Sequence, residues 1–374
     1  MGNSIDFSMD VRSVLRSGSV LAFHSHHAVC LQDMSPLSLL DQAWRLAPFT
    51  PPFGFSAFFS PEDTLLCVCA ADAARLLLTD SRRSGRGAHT GIRIAELTSG
   101  SGLVGLYLLG RDCNARLLGL DIETEATCVA ERNALRLGLS DRAQFAQADL
   151  WSPSTLRLLE VEMPQIIVCN PPYVPEPPGT EMQIEAGAGP NGTAHILRAI
   201  ELTELVQPET LALSWCSLSD PIGIVEAAEK SGYELHTLFV TAIADGEYSG
   251  SVHSYLQGLA DCFINEQRET LAMVAPDGSA RFAYLLLAGA FRRRVRERQA
   301  SAASAAVGRI CRNFSRYGAL PLASGPLPVD RCALPDCRGD APFFLHCSVL
   351  NRWDELRLRA MLHGHVVRRV TEPA

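Results

Sequence analysis

Between residues 92 and 291 the chain alternates short apolar-rich runs with segments whose apolar residues recur every three to four positions. The runs cover residues 92–97, 117–122, 144–148, 165–169, 210–215, 235–243 and 281–291. Their lengths and near-continuous apolar character predict strands buried on both faces. The intervening stretches 103–109, 125–137, 195–205 and 223–231 have helical period. Strands alternating with helices predict an α/β fold: a mainly parallel seven-stranded sheet with helices on both faces.

The flanks break this rhythm. Residues 36–46 and 70–78 read as helices, 53–59 as a strand or hairpin, and the polar Ser/Arg/Gly stretch 81–91 as a boundary. The stretch 244–280 is longer than an ordinary connection and reads as an insertion. After residue 291 come a basic Ala-rich helical segment, a Pro-rich stretch and a helix at 352–361. Three units are therefore expected: an N-terminal substrate or lid segment (1–90), a central domain (91–291) and a basic C-terminal extension (292–374).

Charge sharpens this division. From Arg281 onward there are 16 arginines against 7 acids, a balance of +9. The whole chain has net charge −8, so the part before Arg281 carries −17. The expectation is that the basic end packs on the acidic body, with nucleic-acid binding the less favoured alternative. Lys230 is the only lysine, which points to a GC-rich genome rather than a function. The best apolar run, 282–291, is about half as long as a membrane helix needs to be. No basic segment followed by an apolar one marks a secretory signal, and Asp6 stands where a myristoylation signal wants Ser or Thr. A cytoplasmic protein without membrane partners is expected.

Twelve cysteines are many, but Cys67, Cys128, Cys169, Cys216 and Cys262 each sit singly in apolar surroundings and read as reduced core thiols. Cys332, Cys337, His346 and Cys347 have metal-ligand chemistry at a spacing that fits zinc poorly, and His24, His26, His27 and Cys30 fit worse. No metal is expected.

Two motifs carry chemistry. Glu96-Leu-Thr98-Ser99-Gly100-Ser101-Gly102 joins a strand to a helix, where glycines permit a sharp turn and expose helix N–H groups to a ligand. Asp121 ends the next strand, at the distance from Glu96 where a carboxylate can accept two ribose hydroxyls. Asp149 follows the third strand and could hold an adenine amino group. No Gly-Lys-Ser/Thr follows the turn, which disfavours a nucleoside triphosphatase. The second motif, Asn170-Pro171-Pro172-Tyr173, ends the fourth strand. Its prolines remove backbone donors. That leaves an amide oxygen and carbonyls to grip the hydrogens of an NH2 group, and a ring to face a planar acceptor.

Together these residues resemble the class I S-adenosylmethionine-dependent methyltransferases, and within them the NPPY group that includes the HemK/PrmC glutamine methyltransferases and amino-methylating nucleic-acid enzymes. The resemblance covers about 92–291. It implies a Rossmann-like fold and S-adenosylmethionine as cofactor. Glu96, Thr98, Gly100 and Gly102 would lie along its methionine and ribose, Asp121 on the ribose, and Ile122, Asp149 and Leu150 around the adenine. It further implies catalytic roles for Asn170, Pro171 and Tyr173, with Asn170 also beside the cofactor and Tyr173 stacking on the acceptor. Thr98 stands where the family usually has its first glycine, Leu65–Cys69 replaces a proline-rich segment, and the stretch 292–374 has no counterpart. These departures direct the expectation toward N-methylation of a small molecule or peptide, with specialised metabolism as its setting. A protein glutamine or a nucleic-acid base is the alternative acceptor.

Overall fold

The computed structural model describes residues 61–83, 91–259 and 282–294, apart from 181, 183, 185, 245, 246 and 257. Outside these it describes four short strands (21–23, 28–30, 273–274 and 343–346) and a few positions between 303 and 311. The expected elements at 36–46, 53–59 and 352–361 lie outside the described residues, as do Cys262, Cys332, Cys337 and Cys347.

The strands, in chain order, are β1 (Leu21–Phe23), β2 (Ala28–Cys30), β3 (Arg93–Leu97), β4 (Arg116–Asp121), β5 (Ala143–Gln147), β6 (Ile166–Cys169), β7 (Thr210–Cys216), β8 (Tyr233–Ala244), β9 (Met273–Val274), β10 (Phe282–Arg293) and β11 (Phe343–His346). Strands β1 and β2 form a separate antiparallel hairpin. The main sheet runs β11-β8-β10-β7-β6-β3-β4-β5. Its first five core strands, β3 to β7, pair in parallel, and β10 runs antiparallel between β7 and β8. The seven expected strands are therefore present, with β9 and β11 as short additions at one side.

The chain steps outward from β3 to β5, then returns to the other side of β3 for β6 and β7. Right-handed crossovers taken in opposite directions place their helices on opposite faces of the sheet. The crossover helices are Leu103–Arg111, Thr124–Arg136, Pro153–Glu162, Ala194–Val206 and Pro221–Lys230. Pro153–Glu162 is an addition to the expected set. Its start is nonetheless written in the sequence: the Ser152 side chain accepts from the Ser154 N–H, and Pro153 occupies the first turn. Asp220 caps Pro221–Lys230 in the same way, through the Gly223 N–H.

The core lies along β7, β8 and β10, where Trp215, Tyr233, Phe239 and Phe291 are fully buried. Helix Pro61–Arg83, expected only over 70–78, packs across β7, β8 and β10. Its Leu66–Ala71 stretch is buried, so the segment that departs from the family is the face that seals the sheet. Cys67, Cys169 and Cys216 are buried as expected, but Cys128 is exposed. It falls outside the stripe Ala126, Thr127, Val129, Ala130, Asn133, Ala134 that its helix turns inward. Among the described residues no helix is long and apolar enough to cross a membrane, and none forms a cluster that could hold a metal ion.

Candidate functional site

An open cavity lies where the chain reverses direction, outside the carboxyl ends of β3 and β6. Open α/β sheets bind ligands in this crevice. Glu96, Thr98, Gly100, Asp121, Ile122, Asp149, Leu150 and Asn170 all line it. Gly102, Pro171 and Tyr173 are not among the lining residues.

The first wall is the turn after β3. The Ser99 N–H donates to the Leu120 carbonyl at 2.9 Å and the Gly100 N–H donates to Asp121 Oδ2 at 2.7 Å, which ties the turn to the end of β4. Asn133, wholly buried, donates to the Ser101 carbonyl from behind. Gly102 has φ +72° and heads the Leu103–Arg111 helix. A Cβ there would come within 2.8 Å of the Phe145 ring. Its glycine thus serves the turn and the packing behind it, not the cavity.

Thr98 also has a positive φ, 53°. A β-branched residue in the left-handed region is strained, by about 1–2 kcal/mol. Thr98→Gly is expected to raise the melting temperature by a few degrees, even after the entropy glycine adds to the unfolded chain. Thr98→Val keeps the strain, loses the hydroxyl that lies 3.7 Å from Cys169 Sγ, and should melt lower. Thermal denaturation of both variants checks this.

Glu96 projects from β3 and is 4% exposed. Loss of solvation pushes its pKa up to about 8; the nearby Asp121 charge adds to this, while the N–H groups of Gly105 and Val104 pull the other way. Its Oε2 has no hydrogen-bond partner. Because the folded-state pKa exceeds the ordinary value of 4.5, the folded protein holds a proton that the unfolded chain releases. The resulting stability is complete below pH 4.5 and is lost as pH rises through about 8. Melts of the ligand-free protein at pH 5, 7 and 9 should fall with pH, and Glu96→Gln should flatten that slope.

Asp121 is partly buried, which raises its pKa, while the N–H groups of Glu123 and Gly100 oppose the rise. Each carboxylate oxygen accepts one of these N–H groups, so acceptor capacity remains on both. Ile122 beside it is 45% exposed, an apolar face open to the cavity.

Asp149, Leu150 and Trp151, after β5, also line the cavity. The Trp151 N–H donates to Asp149 Oδ1 at 2.9 Å, and Arg198 Nε donates to the Leu150 carbonyl at 2.9 Å, which fixes the loop. His195, which belongs to neither sequence motif, also lines the cavity, with its ring edge-on to Trp151 at 4.9 Å. Burial lowers its pKa against the pull of Glu176 and Asp149. Its Nδ1 is buried and has no partner.

Asn170 closes β6. Its Oδ1 is buried, lacks a hydrogen-bond partner and belongs to a residue on the cavity wall. Pro172 also faces the cavity. Tyr173 is 8% exposed and its hydroxyl donates to buried Asp63. The ring is therefore largely buried in the ligand-free protein. Burial pushes Cys169 and Cys216 up to about 12, which leaves them protonated and poor nucleophiles.

The chain resembles class I methyltransferases of the NPPY group, as the motifs imply. Over 85 residues it is 44% identical to a release factor glutamine methyltransferase of Rhodospirillum rubrum, covering 23% of this chain and 24% of that one. It is 28% identical over 121 residues to a tRNA1(Val) (adenine(37)-N6)-methyltransferase of Glaesserella parasuis, 32% of this chain and 47% of the other. A solved S-adenosylmethionine-dependent methyltransferase of Agrobacterium tumefaciens aligns over 66% of each chain, at 13% identity and a TM-score of 0.37. No family model matches the chain. The aligned region spans 24% to 36% of the length of three release factor glutamine methyltransferases that it matches. Their names specify macromolecular acceptors, and the expectation of a small-molecule acceptor has no counterpart among them.

Of the basic end, Arg292 and Arg293 belong to β10 and Arg294 directly follows it. Arg293 Nη1 donates to the Gln207 carbonyl at 2.7 Å, and Arg294 Nη2 lies 4.0 Å from Glu229 Oε1. Arg296 and Arg298 lie outside the described residues.

Proposed function

We propose that this chain is an S-adenosylmethionine-dependent N-methyltransferase whose acceptor is the carboxamide nitrogen of a protein glutamine, with residues 91–291 as the catalytic domain. The observation that carries the reading is Asn170 Oδ1, buried and unpartnered on the wall of a cavity otherwise lined by nucleoside-type contacts. A buried acceptor without a donor is costly unless a ligand supplies one.

The residues fit the cofactor. Asp121 retains acceptor capacity for two hydroxyls, Ile122 and Leu150 offer apolar faces for a base, and Asp149 offers a carboxylate to an amino group. Glu96, Thr98 and Gly100 border the remaining length. When bound, S-adenosylmethionine supplies a methyl group already activated by its sulfonium.

The protein's task is then positioning. Asn170 Oδ1, together with the Pro171 carbonyl, accepts the hydrogens of the acceptor nitrogen and turns its lone pair out of conjugation. Both acceptors favour the positive charge that grows on that nitrogen. Tyr173 holds the loop rather than the acceptor, and Gly102 shapes the turn beneath the cofactor.

The similarity to glutamine methyltransferases and the charge of −17 carried before Arg281 favour a protein acceptor over RNA. Arg293 and Arg294, the start of the basic end, are engaged with the body. Methyl-labelled S-adenosylmethionine incubated with the chain and either a release factor or unmodified tRNA distinguishes the two. Label is expected in the protein; label confined to tRNA would transfer the proposal to an adenine amino group, the second acceptor of the same planar geometry.

A further inference from the structure

The Asn170-Pro171-Pro172 stretch has a mechanical weakness. Its two prolines have no N–H, so the loop cannot anchor itself through backbone donors there. What holds it must grip Tyr173. From one side, Ser219 Oγ in the turn after β7 donates to the Tyr173 carbonyl at 2.6 Å. From the other, the Tyr173 hydroxyl donates to Asp63, which lies far earlier in the chain. Asp63 is 7% exposed and lies in the first turn of Pro61–Arg83. There the helix dipole favours a carboxylate, which makes a buried acid tolerable. Its neighbour Thr64 lines the cavity itself. Beyond Tyr173 the loop pairs with its own return, Val174 N–H to the Ala186 carbonyl at 2.9 Å and Ala188 N–H to the Val174 carbonyl at 3.1 Å.

We propose that Asp63 is a positioning residue for the acceptor loop, taking the Tyr173 hydroxyl so that Asn170 Oδ1 is held toward the cavity. The N-terminal helix thereby becomes part of the active site although the motifs lie after residue 92. Burial and the Asp63 charge both keep the phenol protonated, so it remains a donor. The catalytic half of this inference rests on the methyltransferase reading; the anchoring half does not.

The test has two arms. Amide hydrogen exchange, read on peptides covering Tyr173 to Glu176, should accelerate about tenfold or more in Asp63→Ala, as expected when a charged hydrogen bond is lost. Asp63→Asn keeps an acceptor and should restore most of the protection. Tyr173→Phe should change exchange in the same direction as Asp63→Ala, and the double variant should fall short of the sum of the two, since both changes break the shared contact. In the second arm, single-turnover methyl transfer to release factor should fall about tenfold in Asp63→Ala and recover in Asp63→Asn. Affinity for S-adenosylhomocysteine, read by calorimetry, should stay within about twofold, as expected for a residue that acts on the acceptor side. Unchanged exchange over 173–176, or acceleration spread evenly across the sheet, overturns the anchor. Exchange that behaves as expected with an unchanged transfer rate overturns the positioning role. If the wild-type chain transfers no methyl to any acceptor, the proposed function fails, and the exchange arm still decides the anchor.

Discussion

Asn170→Ala is expected to lower kcat roughly 100-fold or more while cofactor affinity moves less than about tenfold. The amide oxygen of Asn170 is buried and lacks a partner in the ligand-free protein. A donor brought by the acceptor nitrogen would satisfy it, and the bond strengthens as positive charge develops. An interaction that is stronger in the transition state than in the ground state appears in the rate rather than in binding. Asn170→Asp retains an acceptor but adds a charge beside the cofactor, so it should rank between wild type and alanine. Single-turnover transfer and calorimetry on the same preparations separate the two quantities. Near-normal turnover in Asn170→Ala would move the methylated atom from a planar nitrogen to an oxygen or carbon with its own base. His195, which lines the same cavity and whose pKa burial lowers, would then be the leading candidate for that base.

Asp121→Ala should weaken cofactor binding by about 1–3 kcal/mol, the cost of leaving polar partners unpaired. A second contribution adds to that loss. The same carboxylate accepts the Gly100 and Glu123 N–H groups, so its removal also loosens the turn that borders the cofactor. Asp121→Asn keeps one acceptor oxygen and should lie between. Calorimetry with S-adenosylhomocysteine measures the loss, and a melting curve of each variant shows whether the turn or the whole fold has responded. Unchanged affinity in Asp121→Ala would remove the ribose assignment.

The sheet was legible because its central strands are buried on both faces. Residues 166–169 and 210–216 have no exposed position, so their sequences read as apolar runs interrupted only by Thr210 and Ser214. The glycine turn and the Asn170 motif were legible for a different reason: their chemistry is local. What escaped was long-range. Nothing near Tyr173 announces that Asp63 will meet its hydroxyl, so the ring read as a stacking platform. His195 is a single imidazole with no spacing partner, and only the fold brings it beside Trp151. Helix Pro153–Glu162 buries only Thr155 and Leu159, too thin a stripe to stand out, although Ser152 and Pro153 mark its start. Cys128 misled because a residue's apolar neighbours in sequence say little about which side of a helix it occupies.

Strand β11 pairs in parallel with β8, Phe343 to His346 against Thr237 to Val240. Without it, β8 would form the outer border of the main sheet along its whole length, Tyr233–Ala244. A long unpaired border is a template for another chain. A protein shortened before Phe343 would therefore be expected to retain its cavity but to self-associate through the exposed ladder at 237–240. Part of the C-terminal extension would then serve as a guard against aggregation, whatever the acceptor proves to be.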